Sequence, residues 1–270
     1  WTGKAWACQN GADMAKGDLL LFLDADVRLG DDGMERLIQA YSEKGCAISV
    51  QPYHFTQRWY EQYSMLFNLI QIAANGTTLP RPRNIGLFGP VILISRTDYD
   101  KIGGHESVRK SIVEDMALGQ RLKDAGIPFR IFVGDKHVSF RMYGSGFITL
   151  FQGWVKNIAS GAAKTPVPLF CMVFLWISSM TSVPVHLITF AVSWHMSFFF
   201  LYSLFYMAWV IVLYFLSKSI GHFKLSAIFV YPILIIVLLI IFAVSIFKKI
   251  FGLKVIWKGR AINGDEKPCK

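Results

Sequence analysis

The chain has 270 residues and a formal net charge of +10, and only 17% of its side chains are charged, against roughly 25% in an average soluble domain. Residues 1–164 carry 19 basic and 16 acidic side chains, whereas residues 165–270 carry 9 and 2, and Thr165–Leu216 contains no charged residue. This distribution excludes a single soluble domain, and the abundance of Phe, Leu and Ile excludes a disordered chain. The excess basic residues flank apolar segments, as they do beside membrane spans, so nucleic-acid binding is not indicated.

Residues 1–164 predict an α/β domain, because apolar runs of strand length alternate with segments of helical periodicity. Strands are expected over Asp18–Asp24, Cys46–Val50 and Gly89–Ile94, and helices over Ala5–Lys16, between Asp32 and Gly45, over Thr97–Lys101 and over Glu114–Ala125. The segment Leu79–Asn84 is typical of a loop. Strands that alternate with helices favour a mostly parallel sheet covered by helices.

A helix with one apolar face is expected after Gly146. Its apolar residues recur at intervals of three and four: Phe147, Leu150, Phe151, Trp154, Val155 and Ile158. Because membrane-length segments follow, this helix is interpreted as lying in the membrane interface, and the alternative is an ordinary helix packed on the α/β domain.

Three apolar stretches follow, roughly Leu169–Phe190, Ser193–Leu216 and Leu225–Phe247, and each is long enough to cross a hydrocarbon core. With a cytosolic α/β domain, three crossings would place the basic tail outside, against the positive-inside rule. An even number of crossings, for example with the Pro184-containing stretch re-entrant or interfacial, would keep the tail inside. A cytosolic tail is the interpretation preferred here.

The acidic pair Asp24-Ala25-Asp26 ends the first predicted strand. Two carboxylates one residue apart at a strand's carboxyl end can hold Mg²⁺ or Mn²⁺, which would bridge a diphosphate and neutralise charge on a leaving group. A solvated turn is the alternative for such a short motif.

A second acidic pair, Glu114-Asp115, begins the last predicted helix of this half. Acidic residues at a helix start often only stabilise the helix dipole. Beside a metal-bound diphosphate, however, such a carboxylate would have a raised pKa and would be suited to accept a proton.

The cysteines are scattered and give no zinc or disulfide pattern, and His105 and His137 are interpreted as structural residues.

Together, these motifs resemble the central segment of family-2 glycosyltransferases. The similarity rests on Gly3-Lys4-Ala5, Gly17-Asp18, Leu23-Asp24-Ala25-Asp26, Gly89-Pro90, Arg96, Gly103-Gly104-His105 and Glu114-Asp115-Met116-Ala117-Leu118. Further stretches are similar to membrane-bound carotenoid-acid glycosyltransferases, namely Ser49–His54, Phe88–Val91, Ser139–Tyr143, Gln152–Trp154 and Trp257–Arg260.

The resemblance implies a GT-A nucleotide-sugar fold and an inverting single displacement. Asp26 would be the principal metal ligand, and Asp24 would contact the metal or the nucleotide ribose. Asp115 would be the general base, with Glu114 as its neighbour. The resemblance places Lys4 near the diphosphate, with a solvated lysine as the alternative.

Arg141 has two interpretations of equal weight. It would clamp a phosphate or an acceptor carboxylate, or it would form a structural ion pair.

Two departures from the family pattern affect these expectations. The uridine-binding N-terminal portion has no counterpart, so the chain is expected to be a fragment. The Q-x-x-R-W motif of many membrane members is absent around Trp154, which weakens a processive polysaccharide-synthase interpretation.

The expected organisation is a partial GT-A domain over residues 1–145, an interfacial helix and linker over 146–168, a membrane region over 169–247 and a basic tail over 248–270. The expected function is transfer of a hexose, glucose from UDP-glucose in the preferred interpretation, to a lipophilic acceptor such as a carotenoid carboxylic acid. A ceramide, hopanoid or polyprenyl phosphate acceptor and a non-catalytic scaffold are the alternatives. The expected location is a bacterial plasma membrane, crossed several times, with the catalytic domain cytosolic and membrane lipid as a partner.

Overall fold

The structure is a computed structural model that describes Trp1, residues 3–80, 84–111 and 113–253, and the backbone of residues 255–257 and 260–262. Part of the predicted loop (residues 81–83), most of the motif Trp257–Arg260 and most of the predicted basic tail lie outside the described side chains.

The described helices and strands follow in chain order. The helices are α1 (Gly3–Met14), α2 (Gly33–Lys44), α3 (Ser64–Ala74), α4 (Arg96–Lys101), α5 (Glu114–Asp124), α6 (Phe147–Lys164), α7 (Val167–Val192), α8 (Met196–Ile220), α9 (Leu225–Phe229) and α10 (Tyr231–Ile250). The strands are β1 (Leu19–Leu23), β2 (Val27–Leu29), β3 (Ala47–Gln51), β4 (Tyr53–His54), β5 (Val91–Ser95), β6 (Phe129–Val133), β7 (Val138–Phe140), β8 (Val255–Trp257) and β9 (Arg260–Ile262). Short 3₁₀ helices span Trp59–Tyr63 and His105–Val108.

The main sheet has the order β1-β5-β3-β6 and is mixed. The strand β5 pairs antiparallel with both β1 and β3, whereas β3 and β6 are parallel. Three strands therefore share one direction and the central strand β5 is reversed. The expected mostly parallel sheet is wrong on this point, because β5 enters from the opposite end after the chain has passed through α3.

Local signals explain where the helices of the α/β part end. α2 ends at Gly45, which adopts a left-handed conformation with φ 60° and donates its N–H to the Tyr41 carbonyl. Gly126 has φ 68° just after α5. A residue without a Cβ adopts this conformation without steric cost, so both helices end within a residue or two of the position that the sequence predicts.

The helix α3 joins the α/β part to the long apolar helices. Nearly every residue of its first two turns is buried, and Met65 and Leu69 share one hydrophobic core with Phe88, with Val210 of α8 and with Leu234 of α10. No element is predicted from the sequence between Pro52 and Leu79. The position of α3 between the two parts depends on contacts with distant segments, which local periodicity does not specify.

The helix α6 confirms the predicted apolar face, and that face is covered by protein. Leu150, Trp154 and Val155 pack with Phe67 of α3 and Ile241 of α10 in a second core. The Trp154 ring stacks on Phe67 with centroids 4.6 Å apart. In the structure, this face is covered by α3 and α10.

Three described helices, α7, α8 and α10, are long and apolar enough to cross a membrane. Pro184 lies inside α7 without ending it, so the structure gives no break in the first stretch. The third predicted stretch is interrupted instead: α9 ends at Phe229 and α10 begins at Tyr231, with Pro232 in its first turn. A proline fits a helix start because the first N–H groups have no intrahelical acceptor.

Candidate functional site

The candidate site lies at the sheet edge where β1 and β3 end and the reversed strand β5 begins. The N–H of Asp24, just after β1, donates to the carbonyl of Pro90, just before β5, over 2.9 Å. Reversal of β5 therefore brings Gly89 and Pro90 to the edge that carries Asp24 and Asp26.

The loop before β5 is fixed by two buried polar residues, neither of which is predicted as a site residue from the sequence. The Ser49 hydroxyl donates to the Phe88 carbonyl over 2.8 Å and accepts from the Phe88 N–H over 2.7 Å. The side chain of Asn75, at the end of α3, bonds the backbone of Ile85 and Gly86. A Ser in a buried strand and an Asn at a helix end were the available sequence signals.

Lys4 lies between the two acidic motifs. Its Nζ is 2.8 Å from Asp24 Oδ1 and 3.2 Å from Glu114 Oε1, and it donates to the Gly89 carbonyl over 3.4 Å. Burial by itself would lower the pKa of Lys4, but Glu114, Asp24 and Asp115 hold it well above its ordinary value. In the structure Lys4 is therefore paired with both acidic motifs, and 38% of its side chain is exposed.

Arg96 holds the helix that carries Lys4. Its guanidinium donates to the carbonyls of Ala15 over 2.6 Å and of Gly17 over 3.1 Å, at the carboxyl end of α1. This arginine, part of the family resemblance, thus anchors α1 to the start of α4.

Asp115 projects from the first turn of α5 towards Gly89. Its Oδ2 accepts the Gly89 N–H over 2.8 Å, and its Oδ1 accepts the Met116 N–H over 2.8 Å. Burial, together with the charge of Glu114, raises the pKa of Asp115 to about 6. At that value, the carboxylate can exchange a proton near neutral pH.

Gly89 is required by this close packing. A Cβ on Gly89 would lie 2.8 Å from Asp115 Oδ2 and 2.9 Å from Lys4 Nζ. A larger residue would therefore separate the ammonium from the proposed base.

The two predicted structural histidines have structural surroundings. His105 is buried, bonds the Tyr99 hydroxyl through Nδ1 over 2.9 Å, and has its pKa lowered to about 4 by burial. His137 pairs with Asp32, away from the acidic site.

The donors at the site are carboxylates, which suit Mg²⁺ or Mn²⁺. Within the described residues, no group of three His, Cys, Asp or Glu side chains is arranged to hold a metal ion. Proteins commonly bind Mg²⁺ through one or two carboxylates plus substrate phosphates. Asp24 and Asp26, which face the same cavity, are compatible with that type of site.

Arg141 forms an ion pair with Glu61. Its Nη2 and Nε lie 2.7 Å and 3.0 Å from Glu61 Oε1, and the Glu61 side chain is fully buried. Arg141 is not among the residues that line the cavity. The structure thus pairs Arg141 with Glu61, as the ion-pair alternative expects, and places its side chain outside the cavity lining. Its backbone N–H still contacts the site, because it donates to the Asp26 carbonyl over 3.2 Å.

Tyr143 was not predicted as a site residue. It has an unusual positive φ of 58°, and burial, followed by the charges of Asp26 and Asp24, holds the pKa of its hydroxyl well above the ordinary value. Its ring occupies the space that a Cβ on Gly153 of α6 would fill, at 2.2 Å. A glycine within the apolar face of α6 was the available sequence signal.

Lys4, the two acidic motifs and Tyr143 line one large cavity of about 1880 Å³. One end is bounded by Lys4, Asp24 and Asp115, and the other by residues of α7 and α10. The structure therefore brings together five of the six predicted site residues, namely Lys4, Asp24, Asp26, Glu114 and Asp115, and leaves out Arg141. An acidic, partly buried pocket is continuous with a largely apolar groove.

Comparison with known proteins gives one family. The model of glycosyl transferase family 21 matches residues 3–268. The 4,4'-diaponeurosporenoate glycosyltransferase of Staphylococcus aureus (strain MRSA252) is 40% identical over 184 residues, which are 66% of this chain and 49% of that protein. The enzyme of the same name from Staphylococcus haemolyticus (strain JCSC1435) is 36% identical over 182 residues, 65% of this chain and 48% of that protein. The chain thus spans about half the length of the curated relatives it matches, and the predicted resemblance to carotenoid-acid glycosyltransferases is confirmed.

Proposed function

The chain belongs to glycosyl transferase family 21, and we propose that the protein transfers a hexose from a nucleotide sugar to a lipophilic acceptor held in a membrane. The observation that carries this proposal is the position of Lys4, Asp24 and Asp115 at one end of a cavity whose other end is formed by membrane-length helices. A charged reaction site and an apolar binding groove are joined in one space, as an amphiphilic acceptor requires.

In the proposed reaction, the acceptor oxygen attacks the anomeric carbon of the hexose from the side opposite the diphosphate. The bond from that carbon to the diphosphate breaks, and the nucleoside diphosphate leaves with its electron pair, which inverts the configuration. A hydroxyl acceptor gives its proton to Asp115. Lys4 stabilises the departing diphosphate, and the partial GT-A domain proposed for residues 1–145 supplies these groups.

Asp24 and Asp26 are proposed to hold Mg²⁺ or Mn²⁺ together with the diphosphate, and the ion would supply further charge neutralisation to the leaving group. Binding of Mn²⁺ can be measured by electron paramagnetic resonance, with and without UDP. Asp26→Asn should reduce the amount of Mn²⁺ that the protein binds in the presence of UDP. An unchanged amount would show that Asp26 is not a metal ligand.

For the substrates, we propose UDP-glucose as the donor and a carotenoid carboxylic acid as the acceptor. The names of the relatives support the acceptor, since both are diaponeurosporenoate glycosyltransferases. The proposed setting is a bacterial plasma membrane, with α6 (within proposed segment 146–168) near its surface and residues 169–247 within it.

A lipid hydroxyl is a second candidate acceptor group. The raised pKa of Asp115 favours it, because a base that titrates at about 6 suits removal of a hydroxyl proton, whereas a carboxylic acid is already ionised at neutral pH.

The test is hexose transfer by the complete gene product in lipid nanodiscs, with UDP-glucose and either a carotenoid acid or a lipid alcohol, followed by mass spectrometry. Asp26→Ala and Asp115→Asn should each lower transfer by about 100-fold or more. Asp31→Ala and Asp124→Asn remove exposed carboxylates and serve as matched controls that should transfer as the unmodified protein does. Near-normal transfer by either site variant would overturn the site assignment.

A further inference from the structure

The cavity continues from the acidic site along one face of α7. The lining residues of α7 run from Phe170 through Ile177 and Ser178 to Val185 and His186. Their intervals of three, four, seven and eight residues place them on a single face of the helix. The groove is therefore a continuous feature of this face rather than a set of separate gaps.

The length of the groove is fixed by the helix. Sixteen residues separate Phe170 from His186, which corresponds to about 24 Å along the axis of α7. A hydrocarbon core is about 30 Å thick. The groove therefore runs across most of the thickness that α7 would span.

The remaining walls of the groove are largely apolar, with Gln71 and Asn75 at the end of α3 and Lys156 and Asn157 of α6 as polar exceptions. Phe67 and Ile70 of α3 and Leu238 and Phe242 of α10 line it, and Phe67 and Leu238 belong to one hydrophobic core. Phe174 and Val185 are 60% and 55% exposed, so the groove is open on the side that faces the surroundings of α7. An apolar chain can enter laterally from a bilayer without crossing water.

The part of the groove that α7 lines ends at a polar residue, His186. His186 Nδ1 donates to the Ser182 carbonyl over 2.8 Å, and its ring stacks on Tyr202 of α8 with centroids 5.0 Å apart. Beyond this pair, α7 contributes no residue to the cavity.

From this geometry, we propose that the groove along α7, α3 and α10 binds the apolar chain of the acceptor, with its polar head at Asp115 and its far end near Val185 and His186. The ligand class is a single-chain amphiphile with an extended apolar part of about 24 Å. The groove then selects acceptors by length. This inference rests on the proposed transfer to a membrane-borne acceptor and specifies its substrate.

The first test uses bulky substitutions along α7. Val185→Trp fills the far end of the groove, and Ile188→Trp adds the same bulk to an exposed position outside the cavity. Val185→Trp should lower transfer to a long-chain acceptor relative to a short-chain one by about tenfold or more, and Ile188→Trp should leave that ratio unchanged.

A second pair of variants tests the middle of the groove. Ser178 lines the cavity and the adjacent Ser179 does not, although both serines are exposed. Ser178→Phe should reduce transfer to long-chain acceptors, because their apolar chains occupy this position in the groove. Ser179→Phe is the matched control and should transfer as the unmodified protein does.

A binding measurement separates this inference from the proposed reaction. A long-chain fatty acid with a diazirine at its methyl end is photolysed with the protein in phosphatidylcholine nanodiscs, and labelled peptides are mapped by mass spectrometry. Saturable labelling between Thr181 and His186 is expected, and it should be lost in Val185→Trp and retained in Ile188→Trp.

The possible results are distinguishable. Saturable labelling without transfer to any lipid acceptor would retain the groove and refute the proposed function. Transfer that is insensitive to Val185→Trp, or labelling spread evenly over the lipid-facing side of α8, would overturn the groove and leave the proposed function standing.

Discussion

At the candidate site, three carboxylates interact with the single ammonium of Lys4. The pKa of Lys4 and the pKa of Asp115 respond differently to these charges. Glu114, Asp24 and Asp115 all raise the pKa of Lys4. The pKa of Asp115 is set by opposing effects. Burial and the charge of the neighbouring Glu114 raise it to about 6, although Lys4 and two backbone N–H groups favour the ionised form. Adjacent residues of one helix turn thus have separate roles: Glu114 pairs with Lys4, and Asp115 is left able to take up a proton.

This balance predicts a pH dependence that distinguishes the two candidate acceptors. A base is active when deprotonated, so kcat/KM with a hydroxyl acceptor should fall about tenfold per pH unit below about pH 6. A carboxylic acid acceptor ionises near pH 4 to 5, needs no base and should keep its rate to lower pH. The measurement is the pH profile of kcat/KM for each acceptor class.

The raised pKa of Asp115 also makes the stability of the fold depend on pH, in the direction opposite to that of activity. The raised pKa of Asp115 means that the folded protein binds this proton more tightly than the unfolded chain does. The corresponding stability is present below pH 4 and is lost as the pH rises through about 6. Asp115→Asn should remove this loss, and identical pH–stability curves for the two proteins would contradict the assigned environment.

At the scale of elements, Glu61 joins the 3₁₀ helix Trp59–Tyr63 to the segment after β7. Its Oε1 pairs with Arg141, and its Oε2 accepts the N–H groups of Gln57 and Arg58. Burial by itself would raise the pKa of Glu61, but these hydrogen bonds hold it below its ordinary value. Since the Arg141 N–H donates to the Asp26 carbonyl, this pair supports the loop that carries the acidic motif.

Glu61→Gln should lower the free energy of unfolding by about 3 kcal/mol, because it leaves the Arg141 charge without its buried partner. Glu106→Gln removes the exposed partner of Arg109 and should change stability little. Chemical unfolding in detergent micelles gives both values. The difference between Glu61→Gln and the unmodified protein should shrink as the pH falls through the pKa of Glu61, and a constant difference would show that the ion pair does not cause it.

The helix α6 contains two glycines with different surroundings. A Cβ on Gly153 would meet the Tyr143 ring at 2.2 Å, whereas a Cβ on Gly161 has no neighbour within 4 Å. Tyr143 lies near Asp24 and Asp26, so Gly153 couples the packing of α6 to the acidic site.

Alanine substitution of these two glycines is therefore expected to change the free energy of unfolding in opposite directions. Gly153→Ala should lower the free energy of unfolding by about 1–3 kcal/mol through overpacking. Gly161→Ala should raise it by about 0.5–1 kcal/mol, because alanine favours the helix. Unfolding followed by circular dichroism measures both, and equal effects would show that Tyr143 does not constrain Gly153.

At the scale of the whole molecule, the long helices begin and end near the α/β part. The Gly221–Lys224 connection after α8 is bound to it, because His222 donates to the His54 carbonyl over 2.8 Å and Lys224 donates to Gln62 over 2.9 Å. The last turns of α10 lie on α6: Ser245 donates to the Val155 carbonyl, and Lys249 donates to the Ala159 carbonyl over 3.4 Å. These contacts are satisfied if α7 and α8 form a hairpin that crosses the membrane twice. The helices α9 and α10 then return to the side of the membrane on which α7 begins.

This arrangement predicts that Lys248 and Lys249 lie on the cytosolic side, in agreement with the positive-inside rule. In a variant without the native cysteines, Trp194→Cys, at the exposed connection between α7 and α8, should react with a membrane-impermeant thiol reagent in intact cells. Lys249→Cys should react only after the cells are opened. Labelling of Lys249→Cys in intact cells would instead establish three crossings.

The sequence by itself determined the features that depend on neighbouring residues: glycine-terminated helices, apolar strands, membrane-length helices and the two acidic motifs. These signals are local, because a helix end or an acidic turn is set by the residues within it. Only the tertiary structure decided the reversed direction of β5, the position of α3 between the α/β part and the long helices, the pairing of Arg141 with Glu61 and the groove along α7. Each of these depends on segments far apart in the chain, and periodicity carries no information about which distant surface a strand, a buried helix or a charge will meet.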